Sequence, residues 1–201
     1  MTPRPVALRV EEARPGRGQD RATVVEVPHH TLVVVADGAG GVAGGAAAAD
    51  EVCRVLAGDA DWATWLGQRD VDVAARGTGM AAAIALSISD DGDVRGASVG
   101  DCEAWVFTDG GAVDLTGAQV RKPLLGEGAA VPTSFVAAGL RGTLVVATDG
   151  LWKYLSGTRI AKLARTRPLE AAVAALVDSV RLRSGALQDD VAIVMCALHD
   201  T

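Results

Sequence analysis

Acidic residues follow, or closely precede, the most apolar segments of this sequence. Asp37 follows LVVVA, Asp149 follows LVVAT and Asp101 follows GASVG, while Asp20 and Asp189 lie just before ATVVEV and VAIVMCAL. A carboxylate at the edge of an apolar core is costly unless it is paired. Few lysines or arginines lie beside these acids in the sequence. The pattern therefore indicates a site for a hard divalent cation, Mg²⁺ or Mn²⁺, because such ions prefer carboxylate oxygens.

Two other interpretations apply to these acids, the first of them to the stretch TLVVVADGAGGVAGG around Asp37. Gly38, Gly40 and Ala43 fit the pattern G-x-G-x-x-A of dinucleotide-binding loops. Taken alone, Asp37 or Asp149 also fits the N-cap of a helix. The first interpretation requires strands that alternate with helices, whereas the later strands of this sequence come in hairpins. The second explains any one acid but not the repeated placement of several.

The elements that would position these acids form one predicted domain over residues 1–201, with no linker and no internal repeat. Asp-Gly turns between apolar runs predict hairpins, so the sheet should be mostly antiparallel. Apolar runs predict strands over 6–10, 22–27, 32–36, 80–89 and 94–99, with further strands around 101–107, 112–116, 142–148 and 191–198. Helices are predicted over 42–57, 62–75, 160–167 and 169–182, and a surface loop over 117–142.

Composition and charge exclude several classes of function. The net charge of −6 argues against a nucleic-acid or anionic-membrane surface. No apolar run approaches the roughly 20 residues that span a bilayer. The N-terminal segment lacks the apolar core of a signal peptide, so we expect a cytoplasmic protein. The three cysteines, Cys53, Cys102 and Cys196, have no arginine six residues later, which excludes a cysteine-dependent phosphatase loop.

Four motifs together resemble the metal-dependent protein phosphatases, the type 2C serine/threonine family in its bacterial form. VVVADGAGG, GASVGDCEAWVF, VVATDGLW and QDDVAIV follow the order and approximate spacing of the family's D-G-x-G-G, G-D-S-R, S-D-G and D-N motifs, over about residues 19–194. The resemblance implies an α+β fold, a four-layer α-β-β-α sandwich of two mostly antiparallel sheets flanked by helices. It also implies hydrolysis of phosphoserine or phosphothreonine on proteins by a water that bridges two Mn²⁺ or Mg²⁺ ions.

The resemblance also implies roles for individual acids. Asp37 matches the carboxylate that bridges both ions, and Gly38 matches the glycine whose carbonyl binds one of them. Asp149 and Asp189 match the acids that complete the coordination of the first ion. Asp20 matches the second residue of the family's early Glu-Asp pair, at the second ion.

Other positions leave alternatives open. Asp101 matches an acid that helps to hold a third, weaker ion in some members, but Lys153 lies where an acid for that ion occurs. That ion is therefore either absent or replaced by the lysine. Arg14 and Arg17 straddle the position of the arginine that holds the phosphate, and we choose Arg17. The loop over 117–142 is shorter than the usual flap of the family.

Departures from the family motifs keep a second function open. Gln19, Glu103 and Lys153 stand where the family often has other residues, as does Ala39. The alternative is a degenerate member that binds phosphoproteins or regulates a kinase without turnover. In both cases the expected partner is a phosphorylated protein, a serine/threonine kinase or its target, with no nucleic acid and no membrane.

Overall fold

The structure, a computed structural model, describes residues 5–39, 44–54, 61–139 and 141–198. Its strands form two five-stranded sheets in which every neighbouring pair is antiparallel. The first sheet has the order β1-β10-β9-β6-β7 and the second β2-β3-β4-β5-β8. In chain order the strands are β1 Val6–Glu11, β2 Arg21–Val27, β3 His30–Ala39, β4 Met80–Ser89, β5 Val94–Val99, β6 Glu103–Thr108, β7 Gly111–Asp114, β8 Thr133–Ala137, β9 Gly142–Ala147 and β10 Val191–Leu198.

The helices of the described residues come in two groups, one against each sheet. Helices α1 and α2 lie between β3 and β4 in the chain, and α3, α4 and α5 lie between β9 and β10. Asp61 caps α2 by accepting a hydrogen bond from the Ala63 N–H, and Ser156 caps α4 in the same way through Arg159. The bounds are α1 Gly45–Val52, α2 Trp62–Arg76, α3 Asp149–Trp152, α4 Gly157–Ala164 and α5 Leu169–Val180.

Buried side chains divide the molecule into four layers, in the order α1 and α2, second sheet, first sheet, and α3 to α5. Alternate residues of β3 show the division, since Val33 and Val35 pack between the sheets whereas Leu32 and Val34 pack against α1 and α2. β9 and β10 are also buried on both faces. The sequences of such strands are continuous apolar runs, because neither face of the strand meets solvent. The predicted four-layer sandwich is confirmed.

The structure differs from the predicted elements in several places; α4, predicted over 160–167, spans Gly157–Ala164. β3 continues to Ala39, beyond the predicted end at Ala36, because its backbone pairs with β4 along its full length. The predicted loop over 117–142 contains β8, which adds to the second sheet beside β5. α1 spans Gly45–Val52, and residues 42–43 and 55–57 of the helix predicted over 42–57 lie outside the described residues. No helix in the described part of the chain is long and apolar enough to cross a membrane.

Candidate metal centre

Three aspartates from both sheets meet at one edge of the sandwich. Asp37 lies near the end of β3, Asp101 lies in the connection from β5 to β6, and Asp149 is the first residue of α3, after β9. One carboxylate oxygen from each lies within 4.8 Å of the others. The connection from β5 to β6 passes from the second sheet to the first. The fold therefore brings together acids that are far apart in the sequence.

The N-cap interpretation is wrong for both aspartates to which it was applied. Asp37 lies within β3, opposite Ala82 of β4, and Gly44 is the N-cap residue of the next helix. Thr148 is the N-cap residue of α3, one position before Asp149. The dinucleotide-loop interpretation loses its context as well, because the neighbouring strands are antiparallel and Gly38 lies in a strand.

Gly38 has a packing role that the sequence did not reveal. A Cβ atom at this position would overlap the backbone of Gly45, and a Cβ atom at Gly45 would overlap the backbone of Gly38. The two glycines therefore allow the first turn of α1 to pack directly against the end of β3. This close approach fixes the segment that carries Asp37.

Asp20 is buried beside this group of acids. It is 3% exposed, and its Oδ2 atom has no hydrogen-bond partner in the described structure. The hydroxyl of Thr148 donates to Asp20 and accepts a hydrogen bond of 3.0 Å from the Ala192 N–H. Burial, followed by the negative charge of Asp37, raises the pKa of Asp20 to about 9. An unpaired buried carboxyl oxygen among other acids is a site at which a cation would be stabilised.

The neighbouring acids also disfavour one another's charge. Burial, followed by the charges of Asp149 and Asp101, raises the pKa of Asp37 to about 7. Burial raises the pKa of Asp149, although a hydrogen bond from Lys153 acts in the opposite direction. At neutral pH the group can ionise fully only with added positive charge. Carboxylates at this spacing fit the oxygen ligands that Mg²⁺ and Mn²⁺ take.

Asp189 lies at the solvent side of the group. Its side chain is 46% exposed, and its Oδ2 atom lies 3.9 Å from Nζ of Lys153. The same ammonium forms an ion pair with Asp149. Asp189 is not one of the three acids that converge most closely, but its charge contributes to the raised pKa values of Asp37 and Asp149.

Asp190 organises the loop that precedes β2. Its two carboxylate oxygens accept hydrogen bonds of 2.7 Å from the backbone N–H groups of Ala13 and Gln19. This loop carries Arg14 and Arg17, the two candidates for holding phosphate. Both arginines are exposed, and neither is among the described residues that line the cavity over the acids.

That cavity, of about 400 Å³, is lined by both acidic and basic residues. Arg121 and Lys122, from the loop before β8, line it together with Asp37, Asp101 and Asp149. Ala39, Ala82 and Leu124 complete the wall. In the described part of the chain, neither Arg121 nor Lys122 forms an ion pair. Neither residue was predicted from the sequence, because RKP belongs to no recognised motif.

A buried carboxylate holds this loop in place. Asp70 of α2 accepts hydrogen bonds from the backbone N–H groups of Gly126, Gly128 and Ala130 at 2.7, 3.0 and 2.9 Å. Leu125 and Ala81 also exchange a pair of backbone hydrogen bonds. The loop is therefore fixed to both α2 and β4. Its basic residues have a defined position over the acids.

The cysteine nearest the acids is not suited to act as a nucleophile. Cys102 is fully buried, and burial, followed by the charges of Asp37 and Asp20, raises its thiol pKa well above the usual value. Burial also raises the pKa of Cys53 to about 12. The reactive form of cysteine is the thiolate. These thiols therefore stay protonated at neutral pH.

Comparison with known proteins identifies the fold. No family model matches this sequence, and no curated protein matches it significantly. Among solved structures, a bacterial serine phosphatase with an R161A mutation matches with a TM-score of 0.84 at 16% identity, over 99% of this chain and 100% of that one. The S. agalactiae serine/threonine phosphatase matches with a TM-score of 0.80 at 18% identity, over 96% and 99%.

A third structure was solved with a metal ion. RsbX, in complex with magnesium, matches with a TM-score of 0.77 at 15% identity, over 96% of this chain and 94% of that one. At these identities the likeness concerns the fold, and it extends over nearly the whole chain. The resemblance read from the four motifs is confirmed at that level: this chain has the fold of the bacterial serine/threonine phosphatases.

Proposed function

We propose that this chain is a metal-dependent phosphatase that hydrolyses phosphoserine or phosphothreonine on proteins. The observation that carries the proposal is the convergence of Asp37, Asp101 and Asp149 from separate elements onto one cavity. The orphaned oxygen of Asp20 supports it, because this buried atom lacks the partner that a cation would supply. The fold shared with serine/threonine phosphatases gives the reaction class.

Each acid then has a proposed role at a pair of ions. Asp37 would hold both ions, as the resemblance implies, with the carbonyl of Gly38 as a further ligand to one of them. Asp149 and Asp189 would complete the coordination of one ion, and Asp20 would help to coordinate the other. When bound, the ions supply positive charge that lowers the pKa of a coordinated water and stabilises charge on phosphate. Asp101, within 4.8 Å of Asp37 and Asp149, adds negative charge to the same group.

The basic residues that line the cavity would hold the phosphate. Arg121 and Lys122 line the same cavity as the acids and form no ion pair with any described residue, so both cations are available to an incoming anion. A guanidinium can bind two phosphate oxygens as a fork, and an ammonium adds a point charge. Arg17 remains the alternative, on the loop that Asp190 organises. We place Arg121 first because it lines the cavity.

The proposed substrate is a phosphorylated protein, either a serine/threonine kinase or a target of one, in the cytoplasm. The net charge of −6 disfavours a nucleic-acid substrate. Mn²⁺ or Mg²⁺ would serve as the ion, two per chain.

One assay tests this function. Hydrolysis of p-nitrophenyl phosphate and of a phosphothreonine peptide is measured with Mn²⁺, with excess EDTA, and for the variant Asp149→Asn. We expect metal-dependent turnover that the variant lowers by at least about 100-fold, because even partners outside the ligand set can cost that much. Asp109→Asn is the matched control, since Asp109 lies in the exposed turn between β6 and β7.

The outcomes separate the possible functions. Equal activity in EDTA, or full activity of Asp149→Asn, contradicts the metal-dependent mechanism. Tight Mn²⁺ binding with no hydrolysis of either substrate indicates instead the non-catalytic phosphoprotein-binding role.

A further inference from the structure

Lys153 occupies a position within the candidate metal centre that a cation would otherwise take. It is the C-cap residue of the short helix α3, four positions after Asp149. That spacing places its side chain over Asp149, and its ammonium forms an ion pair with the Oδ2 atom of that residue. The same Nζ atom lies 3.9 Å from Oδ2 of Asp189. One ammonium therefore contacts two of the acids proposed as ligands.

The charges around Lys153 are otherwise negative. The hydrogen bond with Asp149 is the first cause of its raised pKa, and the charges of Asp149, Asp189 and Asp101 add to it. Among the described residues, no other lysine or arginine forms an ion pair with these three acids. Lys153 is thus the resident counter-charge of this corner of the site.

The attachment of Lys153 to the chain distinguishes it from a bound ion. Its ammonium is held beside Asp149 by a covalent side chain, so its local concentration does not depend on the metal concentration in solution. Nζ pairs with Oδ2 of Asp149 and lies 3.9 Å from Oδ2 of Asp189, so the ammonium leaves the Oδ1 atoms of both carboxylates to the ion that these acids would hold. A weakly held divalent ion at this corner would need the same oxygens and would be repelled by the ammonium.

We propose that Lys153 is a tethered cation that takes the place of an additional divalent ion at the corner formed by Asp101, Asp149 and Asp189. The inference rests on the proposed metal-dependent function, because it assumes that the other ions bind. The chain then binds two ions and has no third, weak site. Its charge requirement at this corner is met without metal.

The test counts bound ions instead of measuring turnover. Free Mn²⁺ is measured by electron paramagnetic resonance during titration of the wild-type chain, Lys153→Asp and Lys153→Arg. We expect two ions for the wild type and for Lys153→Arg, and one additional, millimolar ion for Lys153→Asp. Lys162→Asp is the matched control, since it makes the same charge change on exposed α4, and it should bind two ions. Circular dichroism establishes that each variant is folded.

A second variant keeps the test decisive if Lys153→Asp fails to fold. Lys153→Met removes the positive charge but adds no ligand, so the remaining ions should bind about tenfold more tightly as their repulsion is relieved. The inference is overturned if Lys153→Asp gains no ion, if Lys153→Met binds Mn²⁺ with wild-type affinity, or if the wild type binds three ions. A wild-type chain that binds no Mn²⁺ at all contradicts the proposed function itself.

Discussion

In the absence of metal, the stability of this chain should fall as the pH rises, and Asp20 should account for part of the fall. The residue is 3% exposed, and its pKa is raised to about 9 in the folded chain. In the unfolded chain an aspartate titrates near pH 3.9. Between these values the folded state keeps a proton that the unfolded state releases. The stabilisation is therefore complete below about pH 4 and is lost as the pH rises towards about 9.

The size of the effect follows from linkage. One proton difference corresponds to about 1.4 kcal/mol per pH unit in the free energy of unfolding. Raising the pH from about 5 to about 8 should therefore remove about 4 kcal/mol that is due to Asp20. The substitution Asp20→Asn keeps the shape of the side chain and eliminates its titration. Its stability in EDTA should depend less steeply on pH, by about 1.4 kcal/mol per unit.

Urea unfolding in EDTA at three pH values measures this difference. The wild type, Asp20→Asn and the exposed-turn control Asp109→Asn are compared, and the control should follow the wild type. Saturating Mn²⁺ should flatten the wild-type curve, because the ions favour the ionised carboxylate. Parallel pH dependences for the wild type and Asp20→Asn would refute the assignment of a bound proton to this buried carboxyl.

Three further predictions concern the site and its supports. Mn²⁺ binding near neutral pH should release protons from Asp20 and Asp37, so its calorimetric enthalpy should change with the ionisation enthalpy of the buffer; a constant enthalpy would contradict this. Asp70→Ala should lower the free energy of unfolding by about 3 kcal/mol and speed amide exchange over 126–130, because three N–H groups lose their acceptor. Unchanged exchange would show that other contacts fix the loop. Asp190→Ala should lower the free energy of unfolding by a similar amount, about 3 kcal/mol, and make the loop before β2 more sensitive to protease. A digestion rate equal to that of the wild type would contradict this role of Asp190.

Much of the fold could be predicted because the two sheets are buried on both faces. Continuous apolar segments such as LVVVA predict interior strands. The Asp-Gly turns predict that the strands on either side of them are antiparallel. β8 was missed because it is a short edge strand with alternate half-buried and exposed residues, between prolines and glycines. Its pairing with β5 is a tertiary contact that the local pattern does not encode.

The acids of the site could be predicted by type but not by geometry. Their placement at the ends of apolar segments indicated a cation site, and the structure brings Asp37, Asp101 and Asp149 together. The resemblance assigned Asp101 to a third, weaker ion, and in the structure one of its carboxylate oxygens lies within 4.8 Å of those of Asp37 and Asp149. The distances between residues so far apart in the chain depend on how the two sheets pack.

The supporting residues could not be identified because their partners are backbone groups or a cavity. Asp70 lies on the buried side of α2 with Leu66 and Val73. Its carboxylate accepts hydrogen bonds from backbone N–H groups of a loop that is distant in the sequence. Arg121 and Lys122 belong to no motif, and only the position of that loop over the acids gives them a role. A polar residue on an apolar helix face is the one sequence signal that pointed to Asp70.

Anomalous diffraction from crystals grown with Mn²⁺ would show whether these acids hold a pair of ions. We expect two manganese peaks in the cavity, both next to Asp37, with Asp149 and Asp20 on opposite sides. A cavity without manganese, in crystals of a chain whose phosphatase activity requires Mn²⁺, would contradict this expectation.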